Sequence, residues 1–153
     1  MKIKWMRSWA QHALLIAEMS PCPRGKVGAV LVDPRNNPIS MGFNGPPRGC
    51  SGSLCGGSVC ERDERGVQSG HSTEVGCHHA EANALTNALA NGISSFGCSL
   101  IVSRAPCLMC AKLIHHSGVS LVVICGPEPP SSVNGIPYLK EVGVRVVSAP
   151  PIK

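Results

Sequence analysis

A chain of 153 residues with 43% apolar and 15% charged side chains reads as a single globular domain over residues 1–153, large enough to bury a core and neither disordered nor collagen-like. Its longest apolar stretches, residues 27–32 and 119–125, fall far short of the ~20 residues of a membrane span. Lys2, Lys4, Arg7, Gln11 and Glu18 break up any secretory apolar run, so a cytoplasmic protein with no membrane partner is expected. The net charge of +5 arises wholly within residues 1–50, where seven Lys or Arg face Glu18 and Asp33, which suits an anionic ligand as well as a plain solubilising surface.

Trp5, Trp9, Ala13, Ile16 and Ala17 recur at helical spacing and predict an amphipathic helix over residues 4–19, ended by Ser20-Pro21-Cys22-Pro23. Residues 27–32 are apolar and β-branched and predict a buried strand. A turn at residues 33–37 returns the chain as a second strand over 38–42, making a hairpin. Residues 45–77 hold Pro, Gly, Ser and several cysteines without periodicity, and a loop of that length is functional, disordered or stapled. Helices follow over residues 79–91, closed by Gly92, and over 107–117, opened by Pro106 and closed by Gly118. Strands are expected at 98–103, 119–125 and 144–148, with a helix at 134–142. This alternation predicts parallel pairing in the second half, with helices on both faces of the sheet.

Nine cysteines invite a disulfide framework, but nine is odd and no export signal accompanies them. Metal binding is the better reading, because Pro106-Cys107-Leu108-Met109-Cys110 is matched by His79-Ala80-Glu81 at the start of another helix. The i, i+3 spacing puts Cys107 and Cys110 on one helix face, and the positive end of a helix favours thiolates. His79, Cys107 and Cys110 are three zinc ligands, which leave one tetrahedral position open for water, as catalytic zinc requires. Zn²⁺ lowers the pKa of such a water toward about 7, and Glu81 is the natural carrier of its proton. Each fragment has an ordinary explanation alone: a redox pair, a core histidine, a favourable helix start. Their order and placement favour the metal site.

Together these segments resemble the cytidine deaminase-like zinc deaminases, and within them the deoxycytidylate deaminases. The resemblance covers most of residues 5–148. It extends through Ala82-Asn83-Ala84, Ala111-Lys112-Leu113-Ile114 and Ser117-Gly118-Val119, the strand entry Cys22-Pro23-Arg24-Gly25-Lys26-Val27-Gly28-Ala29-Val30, and the loop Gly42-Phe43-Asn44-Gly45-Pro46-Pro47-Arg48-Gly49. It implies a three-layer α/β/α fold with a mixed five-stranded sheet. It also implies hydrolysis of dCMP to dUMP and ammonia, with Glu81 moving a proton from water to ring N3 and, after attack at C4, protonating the departing ammonia in a separate transfer. Asn44 would contact the sugar, and Ala105 with the Cys107 N–H would help position water or ring. In regulated members the loop from Gly42, Phe43 and Gly45 to Gly49 belongs to a site where dCTP activates and dTTP, with Mg²⁺, inhibits. A plain hairpin turn at Asn44-Gly45 is the alternative, compatible with the first.

Arg24, Lys26 and Arg48 are candidate phosphate contacts, as is Arg104, although each also reads as a surface charge. Arg104 and Ala105 depart from the family pattern. So does the cysteine-rich insert at about residues 48–78, where Cys50, Cys55, Cys60, His71, Cys77 and His78 gather. Some deoxycytidylate deaminases carry a second, structural zinc there, and Cys22, Cys60, His71 and Cys77 are the expected ligands; free cysteines are the alternative. The other readings weighed are deamination of cytidine, dCTP or tRNA adenosine, and a non-enzymatic zinc-stapled module. Ala-Lys-Leu-Ile after Cys110, where tRNA deaminases show Ala-Gly-Ala, and the 3% aromatic content count against nucleic acid. The resemblance suggests a homo-oligomer, a hexamer, with Trp5 and Trp9 at an interface or in the core.

Overall fold

A computed structural model of the chain describes residues 1–46, 49, 58–68, 75–128 and 133–151. Its elements in order are α1 (Ile3–Ala17), β1 (Gly28–Val32), β2 (Pro38–Phe43), α2 (Glu61–Glu64), α3 (Ala80–Ala90), β3 (Ser99–Val102), α4 (Leu108–His116), β4 (Leu121–Ile124), α5 (Ile136–Glu141) and β5 (Arg145–Ser148). No helix among the described residues is long and apolar enough to cross a membrane.

The strands form one sheet in the order β2-β1-β3-β4-β5. The expected hairpin is present as the antiparallel β1–β2 pair, and β1 pairs antiparallel with β3 on its other side. From β3 onward pairing is parallel, because α4 and α5 carry the chain back between successive strands. The sheet is therefore mixed and five-stranded. β1 is buried along its whole length, since alternate side chains serve different layers. Val30 and Val32 pack with Trp9 and Ala13 of α1, whereas Ala29 and Leu31 pack beneath α3, with Ala111 and Ile114 of α4 and Leu139 of α5 in the same core. Helix, sheet and helices make the three layers.

Element boundaries differ from the sequence reading by one or two residues at most ends, where helices and strands fray. The helix α2 within the insert was not expected, since four residues are too few to show a hydrophobic period. Trp5 and Trp9 stack, with centroids 6.4 Å apart. Trp9 is 9% exposed and in the core, its Nε1 donating to Asn36 Oδ1 at 3.0 Å, while Trp5 remains 39% exposed.

Candidate metal centre

His79 and Cys107 occupy equivalent places in the fold. Each is the N-cap of a helix, in extended conformation, and neither makes a side-chain capping bond. Both side chains are thus free to leave the helix end they introduce, while their carbonyls still start the helices by accepting from Asn83 N and Ala111 N. Cys110 stands one turn along α4 on the same face.

The His79 Nδ1 lies 3.5 Å from the Cys107 Sγ and 3.4 Å from the Cys110 Sγ. A tetrahedral Zn²⁺ with the usual Zn–S and Zn–N lengths sets imidazole nitrogen and thiolate sulfur about 3.6 Å apart. All three donor atoms fall within 4.8 Å of one another, and two soft sulfurs with one imidazole make a donor set suited to zinc. The residues fit the ion in both separation and chemistry.

The electrostatics agree. Hydrogen bonds from Cys110 and His79 hold the Cys107 thiol down to about 3, so it is a thiolate at neutral pH. Cys110, the donor in that pair and itself buried, is pushed up in turn. Acceptance by Cys107 raises His79 against its own burial. Glu81, in the first turn of α3, is only 4% exposed. Burial raises its carboxyl, while the His79 charge and a hydrogen bond from Cys110 pull back. A carboxyl poised this way beside three ligands is fitted to exchange protons rather than to stay a bare anion.

Packing from afar positions these groups. Gly42 lets β2 approach α3 so closely that a Cβ there would lie 2.4 Å from Ala84 N and 2.5 Å from Ala80 O. Asn83 Nδ2 donates to Phe43 O at 2.7 Å, and Gly45 and His78 exchange backbone bonds of 3.2 and 2.9 Å next to the His79 ligand. Asn44 is occupied locally, its Oδ1 accepting from Val27 N at 2.7 Å and its Nδ2 donating to Gly25 O at 2.8 Å. The loop expected to touch ligand thus also holds up the helix that carries His79 and Glu81. On the other side, Gly135 N donates to Pro106 O, and Cys107 pairs with Asn134 in an isolated bridge. Ala105 is buried beside the site, with its N–H given to Pro127 O at 3.0 Å.

The cationic candidates are dispersed. Arg24 pairs with Asp63 of α2 at 3.2 Å, and the exposed Lys26 pairs with Glu18 at 3.0 Å. Arg48, Cys50, Cys55 and His71 lie outside the described residues. Cys22 and Cys60 are buried free thiols with Cys77 packed against them, three of the four expected second-site ligands. Cys77 itself is disulfide-bonded, and a sulfur in that state has no thiolate to give a metal. Sequence reasoning passed over Asn83 as a brace, although it stands inside the quoted motif.

Residues 3–126 match the family described as the cytidine and deoxycytidylate deaminase zinc-binding region. A probable deoxycytidylate deaminase of Drosophila melanogaster is 35% identical over 121 residues, which are 79% of this chain and 59% of that protein. The deoxycytidylate deaminase of Mycobacterium phage D29 is 37% identical over 125 residues, covering 78% of this chain and 92% of the relative. The match spans about three-fifths of the animal relatives' length, 59% in the fly and 64% in the mouse protein. Among solved structures, the dCMP deaminase of cyanophage S-TIM5 in complex with dCMP and dUMP superposes with a TM-score of 0.78 at 30% identity, over 97% of this chain and 98% of that one. The ligand triangle opening two helices, on a mixed sheet of this order, is shared fold and shared chemistry together, and the chain belongs to the cytidine and deoxycytidylate deaminase zinc-binding family.

Proposed function

We propose that this chain is a zinc-dependent hydrolase converting dCMP and water to dUMP and ammonia. The observation that carries the reading is the buried Glu81 carboxyl beside the His79–Cys107–Cys110 triangle. The similarity to a dCMP deaminase over nearly the whole chain supports the substrate. His79, Cys107 and Cys110 would hold Zn²⁺, which when bound would supply the Lewis acidity that lowers the pKa of water toward neutrality. Glu81 accepts the proton of the hydrolytic water and delivers it to ring N3 of the cytosine. Oxygen adds at C4, and Glu81 then carries the proton of the new C4 hydroxyl to the amine, so that the C4–N bond breaks, ammonia leaves and the C4 carbonyl forms. Burial serves both transfers, because a raised carboxyl pKa narrows the gap to the groups it exchanges protons with. Asn44 is assigned to the sugar through its remaining hydrogen-bonding capacity, and the Cys107 N–H and Ala105 to the rim that positions water and ring.

The finer features belong to the same proposal. In the reduced chain Cys22, Cys60, His71 and Cys77 hold a second, structural zinc, supported by the packing of the three cysteines. That set requires Cys77 reduced, in keeping with a cytoplasmic location. dCTP as activator and dTTP as inhibitor, each with Mg²⁺, act at the loop from Gly42 to Gly49. The assembly is a homo-oligomer, a hexamer by family resemblance, supported by exposed Ile3, Leu15 and Met19 on and just after α1. The decisive assay runs dCMP, dCTP, cytidine and an anticodon stem-loop with a metal count per chain. Turnover of dCMP is expected, and Glu81→Gln is expected to keep its zinc while losing at least about 100-fold in rate. Product from the stem-loop alone, or full activity in Glu81→Gln, overturns the proposal.

A further inference from the structure

Arg62 stands in α2, inside the insert, and its surroundings set it apart from Arg24 and Lys26. Its Nε donates to Val75 O at 2.9 Å. Its Cγ, Cδ and Nε run along Gly76, where a Cβ would come within 2.9–3.3 Å of them and where φ is +96°. The stem is thereby fixed against the segment that leads within three residues to the His79 ligand. The acids flanking it are committed elsewhere, Glu61 to Arg65 at 2.8 Å and Asp63 to Arg24 at 3.2 Å. Among the described residues Arg62 has no carboxylate partner, and its two terminal nitrogens make no further hydrogen bond.

We propose that Arg62 reads the 5′-phosphate of the nucleotide, an inference that rests on the deaminase reading above and names its phosphate contact. A nucleotide whose base reaches the metal centre carries its phosphate one sugar away, toward the surrounding loops. Arg62 is partly buried, pre-oriented by its Nε bond, and presents the planar fork that pairs with phosphate oxygens. Its stem lies against Gly76, three residues before the His79 ligand, which keeps it near the site. Arg24 and Lys26 are already neutralised by Asp63 and Glu18, so each would have to break an ion pair to serve.

The test compares wild type, Arg62→Gln and Arg62→Lys on dCMP and on deoxycytidine, which lacks the phosphate, alongside calorimetric titration with dUMP. Loss of a charge-assisted phosphate contact predicts a fall in kcat/KM for dCMP of about 10–100-fold in Arg62→Gln, carried mainly by KM. Deoxycytidine turnover stays within about twofold, dUMP affinity falls by the same factor as kcat/KM, and Arg62→Lys recovers part of both. Arg65→Gln, at the C-cap of the same helix, leaves the ratio between the substrates unchanged. Equal losses on both substrates would make Arg62 a brace for Val75 and overturn the inference, as would an unchanged dCMP reaction. Should wild type deaminate neither substrate, the deaminase reading fails; dUMP binding then still decides Arg62, and equal affinities for wild type and Arg62→Gln refute its role.

Discussion

Gly42→Ala tests how the distant strand β2 sets the catalytic geometry. The new methyl would meet Ala84 N at 2.4 Å, Ala80 O at 2.5 Å and Asn83 C at 2.8 Å, against ordinary contacts of 3.4–4 Å. All three are backbone atoms of α3, so no side-chain rotation relieves the clash and the helix must withdraw by about 1 Å. Overpacking of this kind costs about 1–3 kcal/mol. For a domain of this size each kcal/mol lowers Tm by about 2–4 °C, giving an expected drop of roughly 2–12 °C. The larger effect falls on function. α3 carries Glu81, with His79 at its cap, while Cys107 and Cys110 stand on α4 and do not follow it. A shift of about 1 Å in a reacting group costs about 100-fold in rate. Thermal melts of the zinc-loaded protein, paired with ammonia release from dCMP, measure both effects. Gly25→Ala is the control, because a Cβ there meets nothing within 4 Å. A Gly42→Ala protein that melts within about 1 °C of wild type and keeps most of its rate would refute the reasoning.

Asn44→Ala removes one bond from Val27 N and one to Gly25 O, so urea unfolding should register a loss of about 1–3 kcal/mol. Activity lost with stability intact would instead leave the sugar contact as the residue's whole role. Thiol alkylation followed by mass spectrometry should modify Cys107 first in zinc-free protein at pH 6, since its pKa is held down to about 3 and it is thiolate throughout that range. Cys125, pushed up to about 12 by burial, should stay protonated and unmodified through pH 8, and zinc should protect Cys107. Equal labelling of the two cysteines would contradict these assignments.

The metal centre was legible in the chain because its information is local. His79 and Glu81 are two residues apart, Cys107 and Cys110 three, and each pair opens a helix recognisable from Pro106, Gly92 and Gly118. Alternation and helical spacing likewise disclosed the hairpin, the later parallel strands and the helices on both faces. The hydrophobic period is written into each segment and survives folding unchanged. The β1–β3 pairing and the short α2 needed coordinates.

By itself, then, the sequence determined which residue types could gather around an ion and that two helix starts would present them. Tertiary structure decided what faces what. Gly42 and Asn44 appear in sequence as members of one loop motif, yet their partners, Ala84 and Val27, lie on other elements. The same holds for charge. Arg24, Lys26 and Arg62 are equivalent cations in the sequence, and only the fold pairs the first two with Asp63 and Glu18 and leaves Arg62 without a carboxylate among the described residues. Spacing along the chain encodes faces of helices and strands, but which cation is neutralised depends on distances that exist only after those faces have packed.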